Sequence, residues 1–597
     1  MDGDLTLLPA ADLSRRIRER EVSAREVLAA HLERIANLNP LLNAMVSLDA
    51  DGARRRAAEL DDLLVRAGPV GILHGLPVAH KDLFLTAGMR TTFGSPLYAQ
   101  FVPANDALHV ARMRAAGAVR VGKTNVPQFG AGSQTHNPVF GVTRNPYDPT
   151  LTCGGSSGGA AVALATGMVA LADGSDMGGS LRNPASFCNV FGLRPTPGRV
   201  PNVPTRDAWF DLSVIGPMGR SAADAALLLA AIAGPDPRDP LSLAEPGARF
   251  QAPLERDFHG VRIAWGASLG ALPFEAEVLQ AFEAARPGVA SLGVVLAGAE
   301  PDFRGADEVF RILRGWHMAA TLGADVDRSG DDISPMVREN VSYGHTLSAQ
   351  DLAKAQQQRT SIVSQAGTFW AEHEFLLLPV SQVLPFRADA PWVTQIAGTA
   401  MSDYLDWMRS SYLITVLRVP AASVPVGFTP AGLPVGLQVV GRPGDDLGVL
   451  QLAHALEGVF RAGDRHPPMP TIAKAPRPAL SAVGSLDRPP REPKRCRARA
   501  AAACRRTPDA GTRSSRRPAP RPRVGRPHLA RAVPGAPLPA PPPSPRKPGS
   551  PGVGSPADQV RRQGVARSHD PAPQRDRHRR ARAPAPPQGR ASRTAHR

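Results

Sequence analysis

The spacing of apolar residues divides the chain before residue 475 into helical and strand-like segments. From Ser23 to about Asn37, apolar side chains recur at near-helical spacing after a Ser23–Glu26 capping-box pattern, which predicts an amphipathic helix. Other apolar side chains come in short unbroken runs, which predict buried strands: FLLLP (375–379), AASVPVGF (421–428) and LPVGLQVV (433–440). Helices and buried strands are therefore mixed along this part of the chain.

Two glycine loops that carry serine enclose a run of small apolar residues. The first loop is GGSSGG (154–159) and the second is GGS (178–180). The run AAVALAT (160–166) predicts a buried helix, and residues 168–172 predict a strand that leads into the second loop. Glycine before serine exposes backbone N–H groups with no Cβ in the way, which suits a site that binds a developing oxyanion. Either loop alone is also compatible with an ordinary tight turn.

The sequence around these loops resembles the amidase signature family of serine hydrolases. The resemblance rests on GGSSGG (154–159) and GSDMGGSLRNP (174–184) and spans roughly residues 5–465, with Asn189 where the family more often has glycine. It implies one catalytic domain over residues 1–474, with an α/β fold of three layers, α/β/α, around a large mixed β-sheet. It also implies a small-molecule amide substrate, cleaved to an acid and an amine or ammonia, and no cofactor or metal.

The resemblance implies roles for individual residues as well. Ser180 is expected to be the nucleophile, Ser156 a bridging serine and Lys81 the general base, with a cis peptide bond between Gly155 and Ser156. A serine hydroxyl both donates and accepts, so Ser156 can pass a proton between the other two groups. The oxyanion is expected to be bound by the backbone N–H groups of Met177, Gly178, Gly179 and Ser180. Three further side chains are expected to hold the loops: Ser157, Asp176 and Arg182.

Lys81 ends a short apolar segment, LPVAHK (76–81), and a solvated lysine at a strand end would have the same pattern. A lysine acts as a base only when it is neutral, whereas its ordinary pKa of about 10.4 keeps it charged at about pH 7. Burial away from carboxylates would lower this pKa by disfavouring the ammonium form. We therefore expect Lys81 to be buried, and the neighbouring Asp82 to point to the opposite face of the strand.

Two segments in the same half of the chain match sequence motifs of other protein classes. Residues 117–124, GAVRVGKT, match the phosphate-loop pattern G-x-x-x-x-G-K-[ST]. That loop needs a strand before it and a helix after it, whereas here the variable residues themselves predict the strand and Pro127 obstructs the helix. Residues 154–158 match the nucleophile elbow G-x-S-x-G, but the prolines in RNPYDP (144–149) argue against a strand upstream. Neither a nucleotide site nor such an elbow is predicted.

The tail from residue 475 differs in composition from the rest of the chain. Residues 475–597 hold 29 Lys and Arg against 6 Asp and Glu, a net charge of +23, so the total of +17 leaves −6 for residues 1–474. They also hold 25 prolines and no Phe, Tyr or Trp, so they cannot bury a core and we expect disorder. Without aromatic residues for base stacking we do not expect nucleic-acid binding by this tail. A shifted or extended reading frame in GC-rich DNA would encode a similar bias.

The remaining composition restricts the class of protein. The four cysteines include no zinc-type pair and imply neither a disulfide framework nor a metal site. The acidic N-terminus and the absence of a long apolar run predict a cytoplasmic enzyme without a membrane segment, and a homo-oligomer is compatible with the sequence. Two other functions remain open: the glutaminase (A) subunit of a tRNA-dependent amidotransferase, and an Arg-rich nucleic-acid-binding protein with an inert amidase domain. The acyl and amine groups of the substrate also remain open.

Overall fold

The structure is a computed structural model of the chain and describes residues 4–266 and 268–468. Within these residues the α-helices are α1 (Ala10–Arg18), α2 (Ala24–Leu42), α3 (Ala50–Ala67), α4 (Leu108–Ala115), α5 (Gly158–Ala165), α6 (Arg182–Cys188), α7 (Ala222–Ile232), α8 (Ala276–Ala290), α9 (Ala306–Ser329), α10 (Pro335–Thr346), α11 (Ala349–Glu372), α12 (Arg409–Val416) and α13 (Asp446–Phe460). The strands are β1 (Met45–Leu48), β2 (Pro77–Lys81), β3 (Val119–Thr124), β4 (His136–Asn137), β5 (Gly141–Val142), β6 (Leu171–Asp176), β7 (Phe191–Arg194), β8 (Val214–Gly219), β9 (Arg262–Trp265), β10 (Val295–Ala297), β11 (Phe375–Pro379), β12 (Gln395–Ile396), β13 (Thr399–Ala400), β14 (Ala421–Phe428) and β15 (Pro434–Gly441). The tail predicted from residue 475 lies outside the described residues.

One large mixed sheet runs through the described part of the chain. Its eleven strands follow the order β1-β3-β2-β6-β8-β7-β14-β15-β11-β9-β10. Strand β2 pairs in parallel with β3 and with β6, and β9 pairs in parallel with β11 and with β10. The other neighbouring strands are antiparallel. The large mixed sheet expected from the sequence is therefore confirmed.

Helices cover both faces of this sheet. In β11, Leu376 and Leu378 enter one apolar core, whereas Phe375 and Leu377 enter the other, because successive side chains of a strand point to opposite faces. Helices α2, α5, α6 and α9 contribute to the first core, and α4, α7 and α13 to the second. This arrangement confirms the three-layer α/β/α fold. Among the described residues, no helix combines the length and the apolar character that crossing a lipid bilayer requires.

The apolar pattern locates most of these elements correctly, but one predicted strand is displaced. The strand expected at residues 168–172 is β6, which spans Leu171–Asp176. Gly167 has a φ of +70°, and the N–H of Met168 donates to the carbonyl oxygen of Ala163 at 2.8 Å. These residues turn the chain from α5 into β6. The displacement places Asp176 at the carboxyl end of β6, directly before the second glycine loop.

The segment that matches a phosphate loop has a different structure. Helix α4 precedes it, and its last six residues form β3, so no helix begins at Lys123. The Lys123 amine is buried, donates to Thr86 Oγ1 at 2.9 Å, and also donates to the carbonyl oxygen of Phe84. Lys123 therefore fastens β3 to the segment after β2, which agrees with the sequence-based rejection of a nucleotide site.

Candidate active site

The predicted site residues come from neighbouring elements at one edge of the sheet. Strand β2 ends at Lys81, and its parallel neighbour β6 ends at Asp176. Carboxyl ends of parallel strands meet at the same edge, so the loop that carries Ser180 opens beside Lys81. Ser156 and Ser157 directly precede α5, which packs against this part of the sheet. The topology thus brings together two loops and a strand end that are far apart in sequence.

The amine of Lys81 is surrounded by hydroxyl groups. Lys81 is 0 % exposed, and its Nζ lies 2.8 Å from Ser156 Oγ and 2.8 Å from Ser157 Oγ. Ser175 Oγ lies 3.0 Å from the same nitrogen. The burial of Lys81 and its contact with Ser156 agree with the sequence-based expectation, and the Gly155–Ser156 peptide bond is cis. The contacts to Ser157 and Ser175 are new, although Ser175 lies inside the GSD part of the second motif.

Burial lowers the pKa of Lys81 to about 7, although the carboxylates of Asp176 and Asp173 act in the opposite direction. Lys81 is therefore buried as expected, and no carboxylate oxygen of the described residues lies within 4.0 Å of its amine, but these two carboxylates are close enough to oppose the lowering of its pKa. Both carboxylates are themselves fully buried and hydrogen-bonded to other groups. Because removal from water outweighs the attraction of these carboxylates, a large fraction of the Lys81 amine is neutral near pH 7.

Asp173, on β6, anchors the backbone of β2. Its Oδ1 accepts a hydrogen bond from the Lys81 N–H at 2.7 Å, and its Oδ2 lies 2.6 Å from His80 Nδ1. Burial alone would raise the pKa of Asp173, but the neighbouring His80 ring helps to hold it well below its ordinary value. Asp82, the residue directly after β2, accepts a hydrogen bond from the Thr92 N–H at 3.1 Å, in line with the expectation that its side chain points away from that of Lys81. Asp173 is not predicted from the sequence, because no motif marks it.

Ser180 lines a cavity of about 260 Å³ together with Ser156 and Ser175. The N–H of Ser157 donates to the carbonyl oxygen of Ser180 at 3.2 Å, which ties the two glycine loops to each other. Within the described residues, no hydrogen bond joins the hydroxyl groups of Ser180 and Ser156. Ser180 therefore shares the cavity with Ser156, but the contact between their hydroxyls is not formed in this structure.

The carboxylate of Asp176 fixes the conformation of the second glycine loop. It accepts hydrogen bonds from the N–H groups of Gly179 at 2.9 Å and Leu181 at 3.1 Å. Gly179 has a φ of +108°, and a Cβ there would meet the Ser411 side chain at 2.6 Å, so glycine is required. Because Asp176 engages the Gly179 N–H, this group is not available as an oxyanion donor. The other three N–H groups have no hydrogen-bond partner among the described residues: Met177, Gly178 and Ser180.

Two buried guanidinium groups neutralise Asp176. Arg182 donates to both carboxylate oxygens, through Nε at 3.0 Å and Nη2 at 2.9 Å, and Arg194 Nη1 lies 3.7 Å from Oδ1. All three residues are 0 % exposed. Burial alone would raise the pKa of Asp176, but the charges of Arg182 and Arg194 hold it well below its ordinary value. Asp176 and Arg182 therefore hold the loop through a buried ion pair.

Asp176→Asn is expected to lower the free energy of unfolding by about 3–5 kcal/mol, because it leaves two buried guanidinium groups without their counter-ion. Urea denaturation followed by circular dichroism measures the change. Asp389→Asn is the matched control, since Asp389 pairs with Arg387 at the surface, where ion pairs contribute little. Equal denaturation midpoints for Asp176→Asn and the wild type would contradict this role for Asp176.

Apolar side chains line most of the cavity beside Ser180, including Leu83, Phe93, Phe129, Phe310, Met318 and Leu322. Two basic residues lie among them, Arg314 and His317, and none of the described lining residues is Asp or Glu. Arg314 and His317 are not predicted from the sequence, because residues 240–370 carry no recognisable motif. In the described part of the chain, no three His, Cys, Asp or Glu side chains are grouped as metal ligands would be.

Known proteins resemble this chain over most of its described length. The family model described as Amidase matches residues 26–450. The acylamidase of Rhodococcus erythropolis is 33% identical over 472 residues, which cover 78% of this chain and 98% of the relative. The A subunit of the glutamyl-tRNA(Gln) amidotransferase of Thermosynechococcus vestitus is 34% identical over 474 residues, which cover 75% of this chain and 96% of the relative. Among solved structures, a bacterial aryl acylamidase of the amidase signature enzymes has a TM-score of 0.73 at 28% identity, covering 77% of this chain and 99% of that one.

Proposed function

The chain belongs to the amidase signature family, and we propose that it hydrolyses the C–N bond of a carboxylic amide through an acyl intermediate on Ser180. Lys81 is the general base and Ser156 relays protons between the two. The observation that carries this proposal is the distance of 2.8 Å between Lys81 Nζ and Ser156 Oγ, at a fully buried lysine whose pKa is lowered to about 7.

In the first half of the reaction, Ser180 Oγ attacks the carbonyl carbon of the amide. Its proton passes to Ser156 Oγ while the Ser156 proton passes to Nζ of Lys81, which becomes an ammonium. The Ser180 hydroxyl turns toward Ser156 for this step, in line with catalytic hydrogen bonds that tighten only once substrate is bound. The negative charge on the former carbonyl oxygen is stabilised by the backbone N–H groups of Met177, Gly178 and Ser180.

The C–N bond then breaks, and the leaving nitrogen takes a proton from Ser156, which recovers one from the Lys81 ammonium. The amine departs and the acyl group remains as an ester of Ser180. Water attacks this ester and gives a proton to the same relay. When the ester C–O bond breaks, that proton returns to Ser180 Oγ and the acid is released. Each half of the reaction leaves Lys81 neutral, so the relay is ready for the next step.

The three hydroxyls around Lys81 suit both protonation states of its amine. As an ammonium it has three N–H donors, which the oxygens of Ser156, Ser157 and Ser175 can accept. As a neutral amine it has one lone pair, which can accept a hydrogen bond from the Ser156 hydroxyl. The roles of Ser157 and Ser175 are therefore to hold the amine in place while its charge changes.

The glutaminase component of a tRNA-dependent amidotransferase is the second candidate, because the relative of that class matches this chain about as well as the acylamidase does. A glutaminase substrate carries an ammonium group beside its carboxylate. The described lining of the cavity offers no Asp or Glu to pair with an ammonium, which favours the amidase. An assay of the purified chain alone separates the two functions, since we expect cleavage of simple amides and not of glutamine.

We expect kcat/KM to rise with pH and to level off above about pH 8. Only the neutral amine accepts a proton, and its fraction grows as the pH rises through the Lys81 pKa of about 7. Below this pKa the rate should fall about tenfold per pH unit. Initial rates with a chromogenic anilide between about pH 5.5 and pH 9.5 measure the profile, with circular dichroism at each pH to exclude unfolding. A flat profile, or a rate that falls with rising pH, would speak against a lysine base.

A further inference from the structure

The cavity beside Ser180 contains a buried cation without an anionic partner in the described chain. Arg314, on α9, lines the cavity and is only 7 % exposed. No carboxylate oxygen of the described residues lies within 4.0 Å of its nitrogens. Proteins normally pair the charges that they bury, because an unpaired charge loses its hydration without compensation. The counter-ion of Arg314 is therefore not supplied by the described residues.

Neutral groups hold the Arg314 guanidinium in position. Nη2 donates to the Tyr404 hydroxyl at 2.7 Å, Nε to Asn340 Oδ1 at 3.2 Å and Nη1 to Met177 Sδ at 3.1 Å. Asn340 Nδ2 donates to the same Tyr404 hydroxyl at 2.7 Å, which fixes both partners of the guanidinium. These contacts use three of its five N–H donors, and a thioether is a weak acceptor. At least two strong donors remain for a ligand.

The surroundings would strengthen the binding of an anion at Arg314. The described lining includes apolar side chains such as Phe129, Phe310 and Met318, which lower the local dielectric constant, and no Asp or Glu that would repel an anion. A guanidinium also matches a carboxylate geometrically, because two parallel N–H groups meet two oxygens. Met177, which contacts Arg314, lies three positions before Ser180, so the anion site adjoins the reacting serine.

We infer that the substrate is an amide that also carries a carboxylate, and that this carboxylate pairs with Arg314 while Ser180 reacts with the amide carbon. The inference rests on the proposed amidase function and narrows its substrate class. An amide with a single carboxylate and no ammonium fits best, because nothing acidic in the described lining would pair with an ammonium. Arg314 is on this basis a substrate-binding residue that takes no part in proton transfer.

Four small amides test the inference. 4-Carbamoylbutanoate carries its carboxylate on the acyl side and is compared with its neutral isostere 5-methylhexanamide. 4-Acetamidobutanoate carries it on the amine side and is compared with N-(4-methylpentyl)acetamide. We expect the wild type to prefer at least one acid over its isostere by about 30-fold or more in kcat/KM. The preferred side then shows which part of the substrate reaches Arg314.

Arg314→Met is expected to remove this preference, mostly by raising KM for the acid, so that kcat/KM falls much further for the acid than for its neutral isostere. Circular dichroism reports whether the variant is folded, and the ratio of the two kcat/KM values is the readout. Arg314→Lys keeps a charge but loses the two-pronged geometry and should restore part of the preference. Arg328→Met, on the exposed part of the same helix, is the matched control and should leave all four substrates unaffected.

The outcomes separate this inference from the function on which it rests. Cleavage of neutral amides at least as fast as both acids would overturn the inference and leave the amidase function intact. An equal loss toward acid and neutral substrate in Arg314→Met would also overturn it, since this is the signature of a purely structural arginine. Failure to cleave any amide would overturn both.

Discussion

Replacing Ser180 with alanine is expected to lower kcat for amide hydrolysis by about 10⁴-fold or more. Without the hydroxyl no ester intermediate forms, and only substrate binding and the oxyanion donors still contribute to the rate. Assays with an anilide measure the loss. Mass spectrometry of acid-quenched samples adds a second readout, because the wild type should carry an acyl adduct on the peptide that contains Ser180 and the variant should carry none.

Ser213→Ala is the matched control for this experiment. Ser213 lines the same cavity but is outside the group of hydroxyls that contact Lys81. The same substitution there should keep most of the activity and the acyl adduct. If Ser180→Ala turned over amides at a rate close to that of the wild type, Ser180 would not be the nucleophile, and Ser156 and Ser157 would be the next serines to replace.

Local sequence patterns predict those strands that consist of one unbroken run of apolar residues. The apolar runs predict strands at residues 375–379 and 421–428, and β11 and β14 have the same bounds in the structure. Strand β8 (Val214–Gly219) escapes prediction, because VIGPMG contains two glycines and a proline, which strands generally avoid. It forms because β6 and β7 flank it on both sides, and this pairing joins residues that are far apart in sequence.

The same distinction holds for the residues of the site. Some lie in local motifs, and others are brought together only by contacts between distant parts of the chain. Ser156 and Ser180 lie in glycine loops that the sequence displays directly. The contact of Asp173 with the Lys81 N–H spans 92 residues, and the contact of Arg314 with Met177 spans 137. Such contacts depend on strand pairing and helix packing and leave no mark in the local sequence. The residues that place the base and those that select the substrate therefore become visible only in the folded chain.

Lys81→Met is expected to lower kcat/KM by about 10³–10⁴-fold, because the relay loses the group that accepts the proton of Ser156. Methionine fills a similar volume without a buried charge, so the fold should be retained. The activity that remains should also lose the rise with pH through about pH 7, since the group that titrates there is gone. Rates over the same pH range as for the wild type, with thermal unfolding followed by circular dichroism, measure both effects.

Lys123→Met provides a matched control at a second buried lysine. Lys123 lies on the neighbouring strand β3, is 0 % exposed like Lys81, and has a pKa that burial lowers to about 8. Its amine contacts Phe84 and Thr86 and none of the serines in the active site. The same substitution there should therefore lower stability more than activity and leave the pH profile of the enzyme in place. If Lys81→Met lost no more activity than Lys123→Met, or kept the rise with pH, the amine of Lys81 would not be the catalytic base.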